Sequence, residues 1–378
     1  MEEPLPSVAQ RAPALTLVPR DAVAPLKVAV VLPVRDSART VRQCLTSLMA
    51  QDYPFFHVYV VSGPRHEDQS AASVPDLISD SRITWLEWPR PFEWEGRDGS
   101  AKRQMGANIA LSDGADVVAF IDSQVEAPPA WLSTGVRLLE ETGTDGIAGV
   151  SRRRPEDRSF AAVYQDCSIF SEWPNYREDQ RLFDENSDRV GQLPVTNNLL
   201  VRSEALEPVL GLWPDSCPFG WEDFHLDHAL LQSGASLLCT GRSRVYRLHK
   251  PKLRLAKHVT AGMAAADFYR AFPKDRFIRR RLFQAALVTA AAAVTAGLVA
   301  VSIALSSLAL GLFVAGTIAL AAIGLSAVSV RSARDWRAVC FPLVVAIHIV
   351  SWMAGLLVSV AGPASLKQKV QLFLAPRR

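Results

Sequence analysis

Three short stretches put acids and bases where chemistry can be done. Residues 117–131 read VVAFIDSQVEAPPAW: five apolar residues stop at Asp122, and two prolines follow within the next seven positions. Such a run is a strand buried on both faces. Asp122 then sits at the carboxyl end of a strand, where open α/β sheets present their ligands. A carboxylate there suits holding a metal or a sugar nucleotide; capping the following helix is the alternative. The second stretch, PFGWEDFHLDHALLQSG, places Glu222 and Asp223 at the start of a helix that Gly234 stops. A helix N-terminus favours ionised carboxylates, and an ionised carboxylate can act as a general base; capping again is the alternative. In the third stretch, Lys102 and Arg103 fall in the first turns of a helix that Ser100 can cap. Cations there oppose the helix dipole, which calls for an anionic partner such as a diphosphate. For Lys102 plain solvation is the favoured reading. His225 and His228 are spaced i, i+3 without an HExxH pattern and read as ordinary histidines.

The elements that must position these groups follow from periodicity. Apolar runs predict strands at 27–34, 56–62, 83–88, 117–121, 146–150, 236–239 and 243–248, and another within 193–202 after Thr196, Asn197 and Asn198. Helical spacing falls between them, beginning near Val41, Ser100, Trp131, Phe160 and Glu222. Alternation of this kind predicts a mostly parallel sheet covered by helices. Residues 176–192 are polar and lack periodicity. Residues 252–272 form a basic amphipathic helix ended by Pro273, a pattern suited to a membrane surface.

The chain has 378 residues and a net charge of +3, which gives no broad basic surface for nucleic acid. Five scattered cysteines without a CxxC pair offer neither a zinc site nor a disulfide framework. Residues 1–26 are rich in Pro and Ala and are expected to form a disordered tail. Residues 283–330 contain no charge; as helix they would extend about 70 Å, more than twice the ~30 Å hydrocarbon core. Two spans with a turn near Ser306 and Ser307 are expected, at about 283–305 and 308–330, and a third at about 339–362. Arg279, Arg280 and Arg281 precede the first span, and Arg331, Arg334 and Arg337 follow the second, which puts both clusters on the cytoplasmic side. A third full span would export the basic tail at 363–378, against the same rule.

In order, LPVRDS, AQDYP, AKRQMGANIAL, FIDSQ followed by PPAWL, GWEDFHLDHALLQSG and YRLHK resemble the successive blocks of the family-2 glycosyltransferases. The resemblance covers roughly residues 27–272. It implies a GT-A fold, a mostly parallel sheet sandwiched by helices, over 27–250. A basic membrane-surface helix and linker at 251–282 and an α-helical transmembrane region at 283–362 would follow. It also implies roles. Pro33, Val34, Asp36, Arg103, Asp122 and Gln124 would bind the donor; Asp122 and His249 would hold a divalent cation, Mn²⁺ or Mg²⁺. Asp223, with Glu222 beside it, would be the catalytic base of an inverting transfer.

Ser62 stands where the family usually carries an acid after the second strand, which leaves the nucleotide open. Gln124 stands where a second acid of D-x-D is usual; it brings an oxygen but no charge, so metal dependence is expected to be weak or altered, unless Glu126 compensates. No Q-x-x-R-W element is present, which favours single-sugar transfer over a processive synthase. The expectation is a multi-pass enzyme of the cytoplasmic (inner) cell membrane with its catalytic domain in the cytoplasm. It would use a nucleotide-sugar donor and a lipid-linked or cell-surface glycan acceptor. The competing reading is a non-catalytic membrane scaffold that binds a nucleotide sugar or a partner enzyme.

Overall fold

The computed structural model describes residues 24–64, 68–90, 98–167, 174–176, 178–183, 193–214, 217–249 and 255–361. The elements run β1 Val28–Pro33, α1 Val41–Met49, β2 Phe56–Ser62, α2 Pro75–Ile78, β3 Ile83–Glu87, α3 Gly99–Ser112, β4 Val117–Ile121, β5 Val125–Glu126, α4 Trp131–Thr142, β6 Gly146–Arg152 and α5 Phe160–Cys167. They continue with β7 Gln180–Leu182, β8 Asn198–Arg202, α6 Ser203–Leu206, α7 Glu222–Gln232, β9 Leu237–Arg247, α8 Leu255–Ala271, α9 Arg276–Ala304, α10 Leu308–Ala333 and α11 Phe341–Ala361.

The strands form a nine-stranded sheet in the order β3-β2-β1-β4-β8-β6-β9-β5, with β7 added to β9. One half, β3-β2-β1-β4, is wholly parallel, as the strand–helix alternation predicts. The other half mixes directions: β8 runs antiparallel to both β4 and β6, whereas β6 and β9 are parallel. Every residue of β4 is buried, because helices cover both faces; one apolar cluster holds α1 and α4, the other α3 and α7.

Two local readings change. The two late strands are one continuous β9, with a register shift against β6 between Ala148 and Val150. The polar stretch 176–192 contributes β7, whose three residues pair with β9 and are too short to show a period. Residues 168–173 and 250–254, expected to extend α5 and begin α8, lie outside the described residues.

Beyond the sheet, α9, the segment Trp336–Ala361 and α10 are each long and apolar enough to cross a membrane. The break between α9 and α10 falls at residues 305–307, as the paired serines suggest. Ser307 caps α10 by accepting from the Leu310 amide at 3.4 Å. The basic amphipathic segment behaves differently from a free surface helix: Phe268 of α8 is fully buried against Trp221 and Phe224. Sequence periodicity shows an apolar face but not which partner covers it.

Candidate active site

The site forms where the carboxyl ends of β1 and β4 meet the start of α7. α3 passes close over β1 because position 106 is glycine; a Cβ there would lie 2.6 Å from Val31 Cγ1. This approach carries Arg103 to the end of β4. Its Nη2 donates to Asp122 Oδ1 at 2.7 Å, and its Nη1 lies 3.5 Å from Glu222 Oε1. Burial disfavours the guanidinium charge, but Asp122, Asp223 and Glu222 more than offset it and hold Arg103 firmly protonated. Among the described residues, Nη1 and Nε of Arg103 are buried without a hydrogen-bond acceptor.

Glu222 and Asp223 open α7, as expected. The preceding Trp221 takes a left-handed backbone, φ 70°, unusual for a bulky side chain. Ring contacts to Phe224, Phe268 and Phe277 at centroid distances of 4.9, 6.1 and 6.3 Å hold it there. Trp213 Nε1 adds a 2.9 Å bond to the Glu222 carbonyl. So the turn that aims the two acids is braced by α8 and by the first turn of α9.

Asp223 accepts a bond from the Thr196 hydroxyl. The helix-dipole argument predicts a readily ionised acid, and here it fails: burial, reinforced by neighbouring Glu222, pushes Asp223 up to about 7. Arg103 and Thr196 pull the other way without prevailing. Thr196 itself was not assigned a role from sequence. Only the Thr-Asn-Asn run before a strand marked the place, because the Asp223 contact spans 27 positions. The adjoining Asn197 amide is buried with neither atom hydrogen-bonded among the described residues.

Lys102 also departs from its reading. Its side chain is 1% exposed, with Nζ 2.7 Å from the Val34 carbonyl and 3.1 Å from Asp98. Burial lowers its pKa, and Asp98 opposes that shift. Lys102 thus ties α3 to the loop after β1. In that loop Pro33 ends β1, Val34 donates to the Val61 carbonyl at 2.9 Å, and Asp36 is exposed in a left-handed conformation, φ 49°. The Ser37 and Ser123 hydroxyls, 2.7 Å apart, join it to the segment after Asp122.

The positions read as metal ligands come together only in part. Asp122 is 34% exposed at its side chain, and Oδ1 is the oxygen given to Arg103. β5 pairs antiparallel with β9, and the Leu248 amide donates to the Gln124 carbonyl at 2.8 Å, so His249 follows directly on a residue bonded to this segment. The Gln124 side chain is exposed, as is His249. Glu126 is ion-paired with Arg154, which commits the carboxylate that was the candidate to compensate for Gln124. Among the described residues no three His, Cys, Asp or Glu side chains gather into a ready-made metal site. The Asp122 carboxylate and the His249 imidazole are donors of the kinds a hard or borderline cation accepts, and they would be the residues to hold one. His225 and His228 are not part of this set. Burial, then His228, lowers His225 to about 4. His228 Nδ1 lies 3.0 Å from Asp275 under the Phe272 ring.

Comparisons with known proteins bear on the family and the fold. Residues 29–198 match the family model described as glycosyl transferase family 2. The chain is 24% identical over 230 residues to the O-antigen biosynthesis protein RfbC of Myxococcus xanthus, covering 58% of this chain and 17% of that protein. It is 26% identical over 213 residues to the glycosyltransferase AglE of Haloferax volcanii, covering 56% of this chain and 63% of that protein. The chain therefore spans less than two thirds of either relative. Among solved structures, the mannosyltransferase PcManGT from Pyrobaculum calidifontis, in complex with GDP-Man and Mn²⁺, superposes with a TM-score of 0.57 at 18% identity over 90% of each chain. That likeness is one of fold.

Proposed function

Because the chain carries a family-2 glycosyltransferase domain of GT-A fold, we propose that it transfers a single sugar from a nucleotide-sugar donor to a hydroxyl or phosphate-bearing acceptor at a membrane, with inversion. The carrying observation is the fork of Arg103 between Asp122, at the end of β4, and Glu222, next to Asp223. It joins the donor side and the base side of one pocket across more than a hundred residues of chain.

In this reading the diphosphate of the donor lies against Arg103, whose Nη1 and Nε lack acceptors among the described residues. Asp122 and Gln124 line the donor, and Pro33, Val34 and Asp36 border its nucleoside. A divalent cation held by Asp122 and His249 would supply positive charge to the leaving diphosphate. Asp223 takes the proton from the acceptor hydroxyl as its oxygen attacks the anomeric carbon. The bond from that carbon to the diphosphate oxygen breaks, and the nucleoside diphosphate leaves from the opposite face. Asp223 then returns its proton to water. A carboxyl poised at about 7 is suited to this work near neutral pH. Glu222 keeps Asp223 poised by like-charge repulsion and Arg103 in place by attraction.

The apolar helices support membrane association. If Arg279, Arg280 and Arg281 and the later Arg331, Arg334 and Arg337 follow the positive-inside rule, the catalytic domain is cytoplasmic, and a lipid-linked acceptor or a growing cell-surface glycan is the fitting partner. The test is sugar release and transfer by the full chain in lipid vesicles, with a panel of nucleotide sugars, with and without Mn²⁺ or Mg²⁺. Transfer of one sugar from one donor is expected. Donor binding without turnover would favour the scaffold, and polymer-length product would favour a synthase.

A further inference from the structure

The third apolar helix differs from the other two in what it touches. α11 runs alongside α8 in the same direction. The His258 and His348 rings stack at 3.5 Å, a Cβ on Gly262 would meet the Trp352 carbonyl, one on Gly355 would meet the Val259 carbonyl, and Arg270 donates to Ser359 Oγ at 3.2 Å. The glycines let the two backbones come into direct contact. α8 is fixed to the catalytic domain through Phe268, so α11 is fixed to it as well.

The ends of α11 locate it relative to the helical hairpin. Its first turn, Phe341 and Val345, packs with Tyr164 of α5 and with Val330 and Ala333, the last turn of α10. Its middle, Trp352, packs against the cluster of Ala265, Phe268 and Ile278, which joins α8 to the first turn of α9. α9 and α10 are joined by a short turn at 305–307, where Ser302 Oγ donates to the Ser307 carbonyl at 2.8 Å; as two successive spans, the start of one and the end of the other would share one side of the bilayer. α11 reaches from one of these ends to the other. A helix standing along the bilayer normal would carry Ser359 about 27 Å from the level of Phe341. It would take Arg270 and Asp267 along, and the α9 start with Arg276 and Arg279–281 would follow six residues later. That start lies at the level of the α10 end only if α11 lies flat.

What α11 leaves exposed is one unbroken apolar face: Leu343, Ile347, Val350, Leu357 and Val360, with only alanines between them exposed. These positions recur at helical spacing, and a stripe of this size does not face water. From these contacts we propose that α11 is not a third crossing but an in-plane helix. It would lie in the bilayer interface on the side of the catalytic domain, with this face turned to the acyl chains and its other face on α8 and α5. The α9–α10 hairpin alone would cross, and the end of α11 would stay on the side of the catalytic domain. This resolves the conflict between a third span and the basic tail. It rests on the membrane reading given above, but not on the donor, acceptor or base.

Spin-label depth measures it directly. Single cysteines at Leu343, Val350 and Leu357, and at Leu287 and Leu298 of α9, would be introduced with Cys167 and Cys340 replaced by serine. The full-length labelled protein in phosphatidylcholine/phosphatidylglycerol vesicles is read by oxygen against a nickel chelate, with circular dichroism against the unlabelled protein as the check on folding. The proposal expects the three α11 labels at one depth near the headgroups, and the two α9 labels separated by about 16 Å. A steady gradient along α11, approaching the about 21 Å of a helix along the normal, would overturn it, as would α11 labels in water. Equal depths on α9 would remove the membrane reading itself and the proposal with it.

Discussion

Arg103 Nη2 and Asp122 Oδ1 are 2.7 Å apart at the end of β4, and this ion pair is the hinge of the site. The guanidinium is nearly buried, whereas the carboxylate is one-third exposed. The pair is thus anchored on the α3 side and open on the ligand side.

Removing the cation leaves Asp122, Glu222 and Asp223 facing one another. Arg103→Met is expected to destabilise the protein by about 3–5 kcal/mol, the usual result of stranding one side of a buried pair. Arg103→Lys keeps the charge but loses the fork, and donor turnover should fall about 100-fold. Urea unfolding checks the first variant, and initial rates of donor turnover check the second.

The pH dependence follows from Asp223, held at about 7 by burial and then by Glu222. The base works only when ionised, so kcat/KM should rise with pH through about 7 and then level off. Glu222→Gln removes the like charge, and the rise should move to lower pH. A pH–rate profile of each protein measures the shift.

The same group affects stability with the opposite sense. Its folded value, about 7, exceeds the ordinary 3.8, so between those limits the folded state binds more protons than the unfolded one. That contribution is complete below about pH 4 and is lost as pH rises through about 7. Asp223→Asn, which is never charged, should melt a few degrees above the wild type at pH 8, with the gap narrowing as pH falls and closing near pH 4. Thermal unfolding without donor at the two pH values tests this.

Gln124→Asp restores the usual second acid beside Asp122. Half-activation should then need about tenfold less Mn²⁺, because a carboxylate adds charge that an amide lacks. Glu126→Ala should leave the metal requirement unchanged, since that carboxylate is engaged with Arg154. Metal titration of initial rates separates the two variants.

The close contact of α8 and α11 predicts a strong steric effect. Gly262→Val or Gly355→Val pushes a side chain into facing backbone, 1.9 Å away at Cβ. Each should lower the thermal midpoint in detergent and weaken the hold of α11 on the catalytic domain, read as faster proteolysis after residue 335.

Much of the site can be read from the chain because its chemistry is local. β4 begins and ends where the apolar run does, and Glu222 and Asp223 open α7 after the aromatic-glycine turn. What escaped depended on residues far apart in sequence. Lys102 looks like a solvated cation until Val34, 68 positions away, supplies its carbonyl. Asp223 looks like an N-terminal acid stabilised by the dipole until the fold buries it beside Glu222. Composition shows that α11 is apolar enough to span, but hydropathy has no term for the glycine contact that sets it against α8.

The central claim is that Asp223 is the base of an inverting transfer. It is tested most directly by comparing wild type and Asp223→Asn with a turned-over donor, and by reading the anomeric configuration of the product by NMR. The account predicts an inverted product and a rate at least about 10²-fold lower in the variant, with donor affinity within twofold of wild type. A retained configuration, or a variant that transfers as fast as the wild type, would contradict it.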